Sequence, residues 1–197
     1  MPCSPVENFL VGRITAVADA TARGLITGID RYEGKVVYQA DLDSFLWYNG
    51  SAWMYLLGKG TYTPALTNWA IGTGGAATLA GRWVYSFGNL KIEGNAGLGS
   101  SGASVSGAMT ISLPTGFTAD SVFSEQAAGW CSMTDTGTAS YRGPVHPVST
   151  TTVRLQAFNV SATYGGPTNT SSTVPHTWAS TDLAHWEASL VGAMTAP

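Results

Sequence analysis

The segment "DLAHWE", residues 182–187, brings together three side chains able to move a proton or hold a metal: Asp182, His185 and Glu187. Residues two apart on a strand share a face. An extended segment would therefore make His185 and Glu187 half of an acid–base or metal site, or simply a surface pair. Glycan cleavage needs two carboxylates flanking the scissile bond. The candidates are Asp41 with Asp43, Asp120 with Glu125, Asp135, and Asp182 with Glu187. Most of these stand in turn contexts, where an Asp side chain bonds nearby backbone N–H groups. Cys131 follows Trp130 in an apolar run without a basic neighbour, the setting of a buried inert thiol and not of a nucleophile. No H-E-x-x-H, G-x-S-x-G or Walker pattern occurs. "GTGG", residues 72–75, lacks the Lys and the helix of a phosphate loop. The expectation is a protein that is not an enzyme, with no catalytic residue, cofactor or metal.

Aromatic rings offer a different chemistry. Trp and Tyr present apolar faces to sugar rings while polar neighbours hydrogen-bond the hydroxyls. Tyr141, Arg142, Tyr164 and Trp178 are the candidate glycan contacts. A second aromatic cluster, "FLWYNGSAWMYL" at residues 45–56, surrounds an Asn-Gly pair that signals a two-residue hairpin turn. Such a turn pairs Tyr48 with Ser51, Leu46 with Trp53 and Ser44 with Tyr55. One face then carries Leu46, Tyr48, Trp53 and Tyr55, and the other Phe45, Trp47, Ala52 and Met54. Both faces are apolar, whereas a half-wet hairpin alternates. Something must cover the second face, so Phe45, Trp47, Tyr48, Trp53 and Tyr55 are the candidate assembly and attachment residues.

The chain that positions them has 197 residues, enough for one domain or one domain with a small module. Charged residues make up only 11%, net charge is -3, and Gly reaches 24. The composition suits an all-β chain with many turns, or a subunit with much buried interface. Without a Lys/Arg block, no nucleic-acid partner is expected. No apolar stretch approaches a membrane span, and the start "MPCSPVENFLVGR" lacks a signal-peptide pattern. Cys3 and Cys131 are expected as free thiols. Of the sequons at Asn49, Asn159 and Asn169, Asn49 reads as a turn residue.

Residues 1–58 read as an N-terminal module. Val6, Leu10, Ile14 and Val17 suit a short helix or an extended arm, followed by strands at 35–39, 44–48 and 51–57 joined through an Asp41-Leu42-Asp43 turn. Residues 59–197 read as a β-sandwich, with strands at 62–66, 69–72, 81–87, 90–96, 106–113, 125–133, 140–145, 151–158 and 189–194. In "RWVYSFGNLKIEG", a Gly88-Asn89 turn would leave Trp83, Tyr85 and Phe87 on one face. Met109, Ile111 and Leu113 point inward by alternation. Loops 97–106, 134–150 and 159–176 are expected to project outward.

The stretch "YEGKVVYQADLDSFLWYNGSAWMYL" resembles the N-terminal module of bacteriophage minor tail and head-fibre proteins. "LTNWAIGTGGAATLAGRWVYSFGNLKIEGNAGLGSSGASVSGAMTISLPTGF" is similar to the knob that follows it, and "TVPHTWASTDLAHWEASL" to that knob's last strands. The resemblance covers roughly residues 32–117 and 173–190. It implies a virion-surface homotrimer with a jelly-roll-like β-sandwich knob, made in the bacterial host cytoplasm and attached to other virion proteins through the N-terminal module. The expected function is a tail-fibre or minor tail knob that binds host surface glycan. The alternative is a capsid decoration (cement) or head-fibre protein, and a glycan depolymerase stands behind both.

Overall fold

The computed structural model describes residues 14–123, 126–159 and 166–197. Its strands are β1 (Thr15–Val17), β2 (Val36–Gln39), β3 (Ser44–Tyr48), β4 (Trp53–Tyr62), β5 (Leu66–Ala70), β6 (Thr78–Ser86), β7 (Asn89–Gly97), β8 (Ser104–Ser112), β9 (Phe117–Ala119), β10 (Gly129–Asp135), β11 (Ala139–Pro147), β12 (Thr152–Asn159), β13 (Gly166–Asn169) and β14 (Leu183–Met194). A single-turn helix α1 (Ala20–Gly24) is capped by Asp19, whose Oδ1 accepts from Ala22 N–H at 2.8 Å. The strands hydrogen-bond in the order β1-β2-β3-β4-β6-β7-β14-β10-β11-β12-β8-β5, with β9 added to β14 and β13 to β12. Among the described residues β1–β2 is the one parallel pairing. The class is the all-β antiparallel one that the spacing of turns and strands predicts, and its architecture is consistent with a sandwich.

Alternation decides which side is the core. Along β14, Ala184, Trp186, Ala188 and Leu190 are buried while His185, Glu187, Ser189 and Val191 are exposed. Leu90 and Ile92 of β7, Met133 of β10 and Leu155 of β12 face the same side and are fully enclosed. So are Met109 and Ile111, with Leu113 just beyond β8, as alternation predicts. All belong to one apolar cluster. Each such Leu or Ile contributes about 1.5–3 kcal/mol by leaving water. Cys131 also lies inward and free. Burial pushes its thiol up to about 12. Cys3, Val6 and Leu10 lie outside the described residues.

The aromatic hairpin forms with a longer loop than expected. Tyr48 pairs with Trp53, Trp47 with Met54 and Leu46 with Tyr55, and a bulge follows at Phe45. Residues 49–52 make the turn. Asn49 N–H donates to the Ala52 carbonyl, and Asn49 Oδ1 accepts from the N–H groups of Ser51 and Ala52. This Asx geometry outcompetes the two-residue loop. The register moves by two residues, so each side chain keeps its predicted face. The Asp41-Leu42-Asp43 turn joins β2 to β3 as expected, with Asp43 at φ 46°.

Much of the hairpin's cover comes from its own chain. Leu46, Met54 and Tyr55 are buried. Tyr55 meets Trp83 edge-on at 5.4 Å, and half-buried Trp53 packs against the core. Near the chain's end, Thr195 bridges to Met54, and Ala196 N–H donates to the Trp53 carbonyl. Phe45, Trp47 and Tyr48 are half-buried outside the core cluster. Strand β4 crosses residue 58 and pairs with β3 on one side and β6 on the other, so one ladder joins the hairpin to the rest.

Three local expectations are corrected. The β6–β7 turn is Phe87-Gly88, with Ser86 opposite Asn89, and not Gly88-Asn89. Both turn residues have positive φ, which removes Phe87 from the Trp83–Tyr85 face and leaves it 67% exposed. The strand expected at 62–66 breaks before Leu66, where Pro64 cannot donate to a ladder. Residues 134–150 are no outward loop, because β11 fills most of them.

Candidate functional site

Five neighbouring strands, β6, β7, β14, β10 and β11, turn one face away from the core, and their register sets which side chains meet there. Arg82, Glu93, Glu187 and Trp130 stand in one cross-strand row. Asn95, His185, Ser132 and Arg142 stand in the next. Adjacent members of a row are one strand spacing apart, about 4.8 Å. Together with Phe158 of β12 they line an open trough of about 1100 Å³.

One end of the trough is an aromatic wall. Trp130 is 55% exposed and Phe158 43% exposed, with ring centroids 6.0 Å apart at 42°. In water such a pair is an unfavourable apolar surface that a flat apolar partner would cover. The sequence carried a signal for Trp130: in "GWCSMTD" the alternating Cys131 and Met133 take the core, so Trp130 and Ser132 must face out. Reading Trp130 as one member of an apolar run missed it. Phe158 follows buried Ala157 in the same way.

The other end is an ion network. Arg82 donates to Glu93 Oε2 through Nε at 2.7 Å and again through Nη2, and Lys91 reaches Glu93 Oε1 at 2.8 Å. Hydrogen bonds from Lys91 and Arg82 hold the Glu93 carboxyl below the usual carboxylate range, and Glu93 in turn raises Lys91. Glu187 sits directly opposite Glu93, and its charge also raises Lys91. Two carboxylates are thus adjacent, and Glu93 is held as an anion, which suits accepting hydroxyl hydrogens and opposes donating a proton.

His185 and Glu187 share the outward face of β14, as their spacing predicts. Asp182 does not join them. It is buried, its Oδ2 lies 3.2 Å from His176 Nε2 and accepts from Ala179 N–H, and its Oδ1 accepts from Thr136 N–H. His176 lies between Tyr141, stacked at 5.4 Å, and Trp178 at 4.4 Å, and Trp178 meets Trp69 at 6.2 Å. Tyr141 and Trp178 therefore stand half-buried against the core, on the side opposite the trough. Of the four expected glycan contacts, Arg142 alone lines the trough, and Tyr164 lies outside the described residues. Among the described residues no group of three or more His, Cys, Asp or Glu is placed to hold a metal ion, and no helix is long and apolar enough to cross a membrane.

No family model, curated protein or solved structure matches the chain.

Proposed function

We propose that the protein is a glycan-binding surface module, the knob of a tailed-bacteriophage tail fibre or minor tail assembly presented as a homotrimer. The observation that carries the glycan reading is the exposed Trp130–Phe158 wall beside polar groups in one trough. A pyranose ring stacks its apolar face on the aromatic wall. Its hydroxyls then meet Asn95, Ser132, His185 and Glu187, which offer both donors and acceptors. Trimeric presentation raises a weak per-site affinity through effective concentration. The resemblance of the hairpin and knob motifs supports the virion setting. Half-buried Phe45, Trp47 and Tyr48 are the residues left to contact another virion protein.

The test is binding of labelled protein to isolated bacterial envelope polysaccharide. Trp130→Ala with Phe158→Ala should weaken it by about tenfold or more while the fold is retained. Unchanged binding by the double variant removes the trough from the function.

A second reading, capsid decoration, rests on Phe87. This bulky residue occupies a positive-φ turn position while largely exposed, a cost that a protein contact would offset. Imaging of intact particles separates the two: density over the shell lattice supports decoration, and density at the distal tail supports the glycan-reading knob.

A further inference from the structure

Resting on the glycan reading, we infer that the sugar bound in the trough is acidic, with its carboxylate seated at Arg142 beside the Trp130–Phe158 wall. The placing of the charged groups in and beside the trough carries this. At the β6–β7–β14 end, Arg82 of the lining and Lys91 from beside it both engage Glu93, next to Glu187. The short contacts of Arg82 and Lys91 to Glu93 tie three of the four together. At the β11 end Arg142 is exposed, and no described residue forms an ion pair or hydrogen bond with its guanidinium. Its cross-strand neighbours in the row carry no carboxylate: Ser132 directly opposite on β10, then His185 one strand further. Glu187 lies two strands away and one row over, roughly 11 Å by sheet spacing. The unpaired cation of the trough therefore sits next to the surface that would stack the ring, with no carboxylate within contact of it.

The shape of the guanidinium selects among anions. Its planar fork bonds a carboxylate through two parallel N–H···O contacts. A hexuronate or sialic acid residue presents a carboxylate at the edge of the ring whose face lies on the aromatic wall. Ring and charge are then read together.

The experiment measures binding of the full-length protein to two panels by biolayer interferometry. The acidic panel is oligogalacturonate, alginate, hyaluronate and polysialic acid. The neutral panel is dextran, galactan, mannan and chito-oligosaccharide. Arg142→Gln is measured beside the wild type, with melting temperature as the check on folding. The expected result is binding to at least one acidic glycan, weakened about tenfold or more by Arg142→Gln. The same glycan after carboxyl reduction should bind no better to the wild type than to the variant. Equal binding of the native and carboxyl-reduced forms overturns the acidic assignment and leaves the glycan reading standing. Acidic binding that Arg142→Gln does not weaken overturns the seat at Arg142. Binding to neither panel overturns both.

Discussion

Asp182 and Glu187 sit five positions apart in sequence and do opposite things. Asp182 is a buried hinge pin, joined to His176 and to two backbone N–H groups. Replacing it with Ala leaves those donors without an acceptor and should cost about 3 kcal/mol, read as a large fall in melting temperature. Glu187→Gln touches no buried partner and should leave the melting temperature nearly unchanged. A binding role predicts that incubation of any bound polysaccharide with the protein leaves its chain length unchanged. Shortened chains, lost in Glu187→Gln, would show turnover instead. Cys131 is the third residue with a clear expectation. In a Cys3→Ser background it should resist a thiol reagent at pH 8 until denaturant exposes it, since burial holds the thiol up to about 12. The unfolded thiol ionises near about 8.5 and the folded one does not. This contribution is complete below that pH and is lost as the pH rises toward about 12.

Turns decide more than strands do at the scale of elements. Strand existence was legible wherever residues alternated, as along "SVSGAMTISLP" and "GNLKIEG", because one face had to leave water. Loop lengths were not, because they depend on local hydrogen bonds that compete closely. Asn49 accepts two backbone N–H groups and so takes a four-residue loop, and Phe87 accepts a strained φ. Phe87→Asn relieves that strain and makes an Asn-Gly turn, so the variant should be stabilised by about 1 kcal/mol. The same substitution should weaken particle attachment if Phe87 is a docking residue. Packing across the ladder sets the other element-scale constraint. Gly94 lies under the Trp186 ring, and a Cβ there would collide with it. Gly94→Ala should therefore destabilise by about 1–3 kcal/mol, measured by denaturant titration.

The whole molecule joins what the sequence suggested were two modules through one strand. β4 belongs to the hairpin at its start and to the knob at its end, and its crossing of residue 58 could not be read from the Gly- and Pro-containing stretch that follows. The apolar second face of the hairpin was legible, yet its partial cover by Thr195 and Ala196 was not, since nothing local links residue 54 to residue 195. The candidate site shows the same division. Trp130, Ser132, His185 and Glu187 face out by simple alternation, but their meeting in one trough depends on β14 inserting between β7 and β10. The most direct measurement is oxidative footprinting of tryptophans with and without saturating polysaccharide. The expected result is protection of Trp130, with Trp47, Trp53 and Trp178 unchanged. Protection confined to Trp47 or Trp53, with Trp130 equally reactive in both states, would contradict it.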